Sequence, residues 1–391
     1  MFSTRRDFLK LTSLFALSGS LPLLQACSEN FAKNPNAPLR IGYLPITDAT
    51  PLLVAIDKGL FKKRGIESEK PVLFRSWAQL VEAFISGQVN VIHILSPMAI
   101  WLRYGSNSPA KIVMWNHMAG SALTVLPDIE TINDLGGKTI AIPFWYSIHN
   151  IVLQHILREN NLTITEKNPR SKHEVRLVVM APSDMISALA TKSISGFIVA
   201  EPFNAIAEEK KIGKVLRFSA DVWKDHACCV TLMHQHDLDN RPLWSEKIVD
   251  ALVEAQLWTN NNRSETALLL SKQGSHKFMP HDPNILLKIL DPPQTSWQSY
   301  VDSGVIKHPE WQQNRIDFQP YPYSSYLETL LIMLQKTHMA GINSFLMQLE
   351  ASQVAQELTD VRFVKKALLQ QNALKKFNIP TSFSRKEIIL V

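Results

Sequence analysis

Short apolar segments alternate with amphipathic helical segments along the first half of this 391-residue chain. The first unit is a predicted strand at 39–45, followed by a helix that Thr50 can cap and Pro51 can begin. Further strands are predicted at 71–74, 91–95, 111–115, 122–126, 139–143, 175–180 and 196–199, mostly with helices between them. Strand–helix alternation is typical of parallel sheets that helices cover. The sequence therefore predicts an α/β fold.

The alternation is interrupted at a polar segment that begins at Pro127, and a fresh strand begins at Thr139. A later strand at 227–233 is predicted to return to the first sheet, and the chain after it is mainly helical. A chain of this length suits two domains of ordinary size. We predict that residues 38–126 and 226–391 form one lobe and residues 127–225 the other. Two crossings between lobes make a hinge, which lets the lobes close over a ligand.

The N-terminus has the pattern of an export signal. Arg5-Arg6 precedes a short apolar run, Leu11–Leu24, and Cys27 follows it. Adjacent arginines before such a run are typical of twin-arginine signals, and the cysteine is typical of a lipid-attachment site. The run is shorter than the roughly 20 residues that a membrane-spanning helix needs. We predict a lipoprotein signal at 1–27 and a linker at 28–37, with the mature protein in the periplasm or cell envelope and lipid-anchored to a membrane.

Composition excludes several classes of function. The formal net charge is +6, without long runs of like charge, so nucleic acid is not expected as a partner, whereas a small anion is compatible. Cys228 and Cys229 are adjacent, so no disulfide framework is available. We interpret this pair as two small apolar residues on opposite faces of a strand. Nucleophile-elbow, zinc-pair, phosphate-loop and dinucleotide motifs are absent from the sequence, so we predict no enzyme activity, no cofactor and no metal ligands.

Polar and aromatic residues follow several predicted strands, where ligands bind in open α/β sheets. Trp77 stands at a helix start, and its indole N–H can donate to a ligand or pack in the core. His149 stands near another helix start, where anions are favoured. On the residues alone, a histidine in this position is more often a satisfied structural group, and Lys224 is more often a surface lysine than a ligand contact. Glu201, after a buried strand, is predicted to be a solvated turn carboxylate.

Taken in order, these segments resemble the nitrate- and bicarbonate-binding proteins of bacterial ABC importers, within the nitrate/sulfonate/taurine group of periplasmic binding proteins. The resemblance extends over the whole chain after the leader. It rests on the stretches 42–52, 77–87, 95–98, 143–150, 182–185, 196–197, 201–204 and 223–229. It implies a two-lobe periplasmic binding protein fold of type II, with a hinge and the ligand in the cleft between the lobes.

The resemblance also implies a set of ligand-binding positions, which in this chain are Trp77, Ser121, His149, Gly196 and Lys224. Such a set supplies several donors, one of them cationic, to a weakly basic anion. Ser121 departs from the pattern, because nitrate-binding members tend to have glutamine there. Bicarbonate-binding relatives tend to have an acidic group in place of the lysine and to recruit a metal ion, so Lys224 favours a metal-free monovalent anion. The resemblance thus implies a receptor that delivers nitrate to the membrane subunits of an ABC permease.

Three alternatives stay open at this point. The first is a different ligand for the same receptor, an alkanesulfonate such as taurine, or bicarbonate. An enzyme of the related pyrimidine-precursor group uses a histidine and a cysteine-rich segment, and Cys228-Cys229 is the feature in its favour. A cytoplasmic ligand sensor on the same fold would need the leader to be something other than an export signal.

Overall fold

The computed structural model of the protein describes residues 37–311, 314–341 and 343–390. The predicted export signal, its Cys27 and all but the last residue of the linker lie outside these residues. The strands of the described part are β1 (Ile41–Tyr43), β2 (Val72–Leu73), β3 (Val91–Leu95), β4 (Ala110–Trp115), β5 (Met118–Ala119), β6 (Ser121–Val125), β7 (Thr139–Ile142), β8 (Thr163–Thr165), β9 (Glu174–Val179), β10 (Gly196–Ala200), β11 (Lys214–Phe218), β12 (Cys229–His234) and β13 (Ile316–Asp317).

The α-helices alternate with these strands in the first half of the chain and follow one another in the second half. Their bounds are Thr50–Asp57, Leu60–Lys63, Trp77–Ile85, Ser96–Ile100, Ile148–Glu159, Pro182–Ala190, Phe203–Glu209, Gln235–Asn240, Pro242–Asn261, Arg263–Leu270, Pro283–Leu290, Gln294–Asp302, Ser324–Gln335, Ala351–Leu358 and Arg362–Gln370. Within the described ranges, none of the helices combines the length and the apolar character that crossing a membrane requires.

Two sheets form the centres of the two lobes. The first has the order β2-β1-β3-β12-β4, in which β1 is parallel to β2 and β3, and β12 is antiparallel to both of its neighbours. The second has the order β11-β6-β10-β7-β9-β8, in which the four strands from β10 to β8 are parallel and β6 is antiparallel to its neighbours. Every residue of β3 and of β10 is buried, as expected for strands with helices on both faces. The predicted α/β class is confirmed.

The strand β6 corrects the predicted boundary at residue 127. All of its residues pair with β10, from Ser121 opposite Ala200 to Val125 opposite Gly196, so β6 belongs to the second sheet. The turn at Pro127 therefore connects two strands of one sheet. The chain passes between the sheets earlier, through residues 116–120, which we call the first crossing.

The chain returns through residues 219–228, the second crossing, before β12 enters the first sheet. Segments from the C-terminal part of the chain brace both crossings. The strand β13 pairs with β5 in the first crossing. In the second, the N–H of Lys224 donates to Ile388 O at 3.0 Å and the N–H of Leu390 donates to Val222 O at 2.8 Å.

Candidate functional site

Polar side chains collect where the two crossings meet. His117 lies in the first crossing, Cys228 in the second, and Asp48 in a single 3-10 turn just after β1. Ser121 begins β6, and His149 lies in the first turn of the helix Ile148–Glu159. All five residues are at most 2% exposed. Polar side chains buried this deeply are normally paired, so their partners indicate what the site can do.

The side chains of Asp48, His117, Cys228 and Cys229 form one compact group, which we call the quartet. One nitrogen, oxygen or sulfur atom from each lies within 4.8 Å of those from the other three. Asp48 Oδ2 is 3.0 Å from His117 Nε2, and the backbone nitrogen of Cys229 is 3.3 Å from the same atom. The interpretation of the two cysteines as residues on opposite strand faces is wrong. Because β12 begins only at Cys229, residue 228 lies in the crossing and both sulfur atoms reach the same group.

The quartet combines an ion pair, Asp48 with His117, and two thiols whose pKa values are shifted in opposite directions. Burial disfavours the ionised Asp48, but the adjacent His117 outweighs it and lowers the pKa of Asp48 to about 2. Burial likewise opposes a charged His117, but Asp48 raises the pKa of this imidazole to about 10. Burial also opposes ionisation of Cys228, yet the Cys229 thiol, His149 and His117 hold its pKa well below the usual value. Burial and the Cys228 thiol raise the pKa of Cys229.

Two of the sequence-predicted ligand residues meet on the second lobe. Ser121 Oγ is 2.9 Å from His149 Nε2. Cys228 Sγ lies 3.8 Å from the same nitrogen, so this pair borders the quartet. The helix that carries His149 is capped by Ser147, whose Oγ accepts from the Asn150 N–H at 3.1 Å. The cap fixes the helix start and therefore the position of the imidazole.

A third predicted ligand residue, Trp77, lies on the first lobe beside His93. The two ring centroids are 5.5 Å apart. His93 Nε2 accepts a hydrogen bond from the Leu44 N–H at 2.8 Å, so the ring hydrogen is on Nδ1. Burial lowers the pKa of His93 to about 4, which keeps the ring neutral. Within the described residues, Trp77 Nε1 and His93 Nδ1 are buried and have no hydrogen-bond partner. Two buried N–H donors on neighbouring rings are thus left without an acceptor among the described residues.

The structure does not bring Gly196 to this site. Gly196 begins β10 opposite Val125, whereas Ser121 lies opposite Ala200, about 13 Å further along the strands. A Cβ at Gly196 would lie 2.8 Å from Thr124 O, so close packing in the sheet accounts for the glycine.

Lys224 lies half-buried in the second crossing, and its backbone is held by Ile388. Its contact with a ligand stays a prediction, as do the ligand roles of the other four residues.

Glu201 directly follows the last residue of β10 and is not the solvated carboxylate that the sequence predicts. It is 1% exposed, and its Oε1 accepts from Arg315 Nη1 at 2.7 Å. Its backbone oxygen accepts from the Thr47 N–H, one residue before Asp48, at 3.1 Å. Arg315 comes from the segment that precedes β13, so its position could not be read from the sequence around Glu201. The hydrogen bond from the Thr47 N–H to Glu201 O fixes the turn that contains Asp48 against the second lobe.

A cavity of about 610 Å³ opens between the lobes, but neither the sequence-predicted ligand residues nor His93 lines it. Leu44 and Arg75 line it from the first lobe, and Ser183 and Asp184 from the second. Residues of the helical C-terminal half, including Lys272 and Lys277, complete the wall. Three of the lining side chains are cationic and one is anionic, so the cavity favours an anion.

Sequence reasoning missed His93, His117 and the quartet as a whole. The one signal in the sequence that points here is the pair of polar residues Thr47-Asp48 just after the first predicted strand. The quartet comes from three segments that are far apart in the sequence, so it does not show the close ligand spacing of a metal motif.

Two α/β lobes joined by two crossings, with a buried polar site at the crossings, define the class of two-lobe binding proteins. The chain belongs to the NMT1-like family, whose sequence model matches residues 32–271. The nitrate/nitrite binding protein NrtA of a Nostoc species is 26% identical over 273 residues, which cover 64% of this chain and 60% of that protein. NrtA of Synechococcus elongatus is 26% identical over 73% of this chain and 68% of its own length. The predicted resemblance to nitrate-binding proteins is confirmed.

Other relatives are longer. The nitrate import ATP-binding protein NrtC of Synechocystis is 28% identical over 59% of this chain, but the match spans 36% of that protein. Among solved structures, the periplasmic nitrate-binding protein NrtA of Synechocystis has a TM-score of 0.71 at 18% identity and covers 89% of this chain and 92% of its own. The aliphatic sulphonate binding protein SsuA of Escherichia coli has a TM-score of 0.56 at 16% identity, over 76% of this chain and 91% of its own. These structures confirm the predicted two-lobe periplasmic binding protein fold.

Proposed function

We propose that this chain is the solute-binding protein of an ABC importer, which captures a small oxyanion between its lobes and delivers it to the permease. Nitrate is the first candidate, because relatives by sequence and by structure bear the names of nitrate-binding proteins. The observation that carries the proposal is the pair of unpartnered N–H donors, Trp77 Nε1 and His93 Nδ1, in the described part of the first lobe. A buried donor without a partner costs about 1–3 kcal/mol, which an acceptor oxygen on a ligand would recover.

The surroundings of these donors support an anion. The carboxylate of Asp48 would repel it, but the raised pKa of His117 keeps a compensating positive charge beside that carboxylate. Ser121 and His149 belong to the opposite lobe and offer a hydroxyl group and an imidazole. A ligand that contacts both lobes favours the closed form by the contacts that it makes only there. The cationic wall of the cavity attracts anions to the cleft.

An organic sulfonate is the second candidate. The cavity of about 610 Å³ is larger than a nitrate ion requires and lies within the usual range for sites that enclose organic ligands. One fold neighbour bears the name of an aliphatic sulphonate binding protein. A sulfonate group has the same kind of acceptor oxygens, so it would use the same two donors.

Isothermal titration of the full-length protein with nitrate, taurine, and bicarbonate with and without Ca²⁺ tests the proposal. We expect micromolar or tighter binding of nitrate, and losses of at least about tenfold in His149→Ala and Lys224→Ala, since each removes a charged or polar contact. Lys62→Ala is the matched control, because Lys62 is exposed on a helix of the first lobe. Heat with taurine alone would support the sulfonate, and metal-dependent heat with bicarbonate would support bicarbonate. The absence of binding heat with all of these anions would refute the proposal.

We further propose that residues 1–27 export the chain by the twin-arginine route and that a lipid on Cys27 anchors it. Replacing Arg5-Arg6 with two lysines should retain the chain in the cytoplasm. Cys27→Ala should release it from the membrane fraction into the soluble fraction of the envelope. A Cys27→Ala protein that stays in the membrane fraction would contradict the anchor.

A further inference from the structure

The quartet contains the donor atoms that bind a particular class of metal ion. It offers two sulfur atoms, one imidazole nitrogen and one carboxylate oxygen, all fully buried. Hard cations such as Ca²⁺ and Mg²⁺ take oxygen ligands, whereas Zn²⁺ binds combinations of cysteine, histidine and aspartate. Soft Cu(I) favours sulfur ligands over a carboxylate. The chemistry of the set therefore favours Zn²⁺.

The spacing of the four atoms is close to that of a tetrahedral site. Bonds of about 2.0–2.3 Å to a central Zn²⁺ place the ligand atoms roughly 3.3–3.8 Å apart. In the quartet all four atoms lie within 4.8 Å of one another, and Asp48 Oδ2 and His117 Nε2 are already 3.0 Å apart. Closing the group around an ion requires shifts of about 1 Å, which side-chain rotation supplies. Metal binding at His117 Nε2 requires the neutral ring, so the ion would displace the ring proton and the 3.3 Å contact with the Cys229 N–H.

The carboxylate of Asp48 provides an independent observation. Both of its oxygens are buried and, in the described part of the chain, lack a hydrogen-bond partner. Oδ2 forms an ion pair with His117 Nε2 at 3.0 Å, whereas Oδ1 has no partner of either kind among the described residues. An unpartnered oxygen of a buried carboxylate is costly, and a coordinated cation removes this cost.

We infer that Asp48, His117, Cys228 and Cys229 bind one Zn²⁺ ion. The ion ties the turn after β1 to the first and second crossings, so it joins the segments through which the lobes move. Its binding stabilises the folded chain by linkage, because the unfolded chain does not hold the four ligands together. The quartet borders Ser121 and His149 but shares no residue with the proposed anion contacts, and the inference does not depend on the identity of the anion.

The test uses the full-length protein, reduced and stripped of metal with a chelator. We expect one equivalent of Zn²⁺ to bind at micromolar or tighter affinity in competition with a chromophoric chelator, and to raise the thermal midpoint. Co²⁺ in its place should give the intense visible bands of a tetrahedral thiolate site. X-ray absorption of the Zn²⁺ protein should show two sulfur neighbours at about 2.3 Å.

Cys228→Ser and Cys229→Ser should each weaken Zn²⁺ binding by at least about 100-fold and abolish the Co²⁺ bands. Cys27→Ser is the matched control, because it removes the remaining cysteine of the chain and leaves the quartet intact. If the cysteine variants fail to fold, the number of sulfur neighbours in the X-ray absorption of the unmodified protein still tests the inference. Fewer than two sulfur neighbours, no stoichiometric binding, or loss of the site in Cys27→Ser would overturn the inference.

Discussion

Replacing Arg315 with methionine removes the cation that neutralises two carboxylates beneath the crossings. Arg315 Nη1 donates to Glu201 Oε1 at 2.7 Å, and Nη2 donates to Glu208. The side chains of Arg315 and Glu201 are 6% and 1% exposed, so water cannot replace the lost contact. A hydrogen bond to a charged group contributes about 1.5–3 kcal/mol, and removal of one partner of a buried ion pair costs about 3–5 kcal/mol. We expect Arg315→Met to lower the free energy of unfolding by about 3–5 kcal/mol near neutral pH.

The loss of stability caused by Arg315→Met should be smaller in mild acid. Burial raises the pKa of Glu201 above its usual value even with Arg315 beside it, and removal of Arg315 raises this pKa further. A carboxyl group whose pKa is higher in the folded than in the unfolded state binds a proton preferentially in the folded state, so its protonation stabilises the fold. The difference between Arg315→Met and the unmodified protein should therefore be smaller near pH 5 than near pH 7.

Urea unfolding followed by circular dichroism at both pH values measures these differences. Lys58→Met is the control, because Lys58 Nζ is 2.6 Å from Glu265 Oε1 but the two side chains are 27% and 55% exposed. We expect it to cost less than about 1 kcal/mol. The double variant Arg315→Met/Glu201→Gln should be more stable than Arg315→Met alone, since the uncompensated charge is gone. The reasoning is refuted if Arg315→Met lowers the free energy of unfolding no more than Lys58→Met does. It is also refuted if the double variant is no more stable than Arg315→Met.

Three further outcomes are expected. Trp77→Phe keeps the ring but removes the unpartnered Nε1–H, so titration calorimetry should show anion affinity about 5-fold or more lower with little change in stability; unchanged affinity would contradict the donor role. Because the pKa of His93 is about 4 in the fold, against about 6.5 unfolded, the neutral ring stabilises the protein above about pH 6.5, and up to about 3 kcal/mol is lost as the pH falls toward 4. His93→Gln should make pH-dependent urea unfolding less steep, and an equal slope would refute this. Gly196→Ala places a Cβ 2.8 Å from Thr124 O, so the thermal midpoint should fall while anion affinity stays the same; lower affinity at unchanged stability would instead support a ligand role.

The architecture could be predicted because its signals are local. Apolar runs such as Val91–Leu95, followed by Pro97 at a helix start, specify strand and helix from neighbouring residues alone. The lobe boundary was placed too late for the same reason. The turn at Pro127 is a strong local signal, but the sheet that β6 joins depends on its pairing with β10, more than 70 residues away.

The site could be predicted only in part. Ser121 and His149 were identified by resemblance, and the structure brings them within 2.9 Å of each other. The pairing of Glu201 with Arg315 and the convergence of Asp48 with His117 depend on contacts between remote segments. Adjacent cysteines predict opposite faces only inside a regular strand, and the sequence does not show that β12 begins at the second of them.

The central claim is that an oxyanion is captured by the donors of the first lobe. A crystal structure of the protein with the tightest-binding anion from the titration tests this most directly. The account predicts anion density between the lobes, with acceptor oxygens about 3 Å from Trp77 Nε1 and His93 Nδ1. Anion density elsewhere, with both of these N–H groups still without a partner, would contradict it.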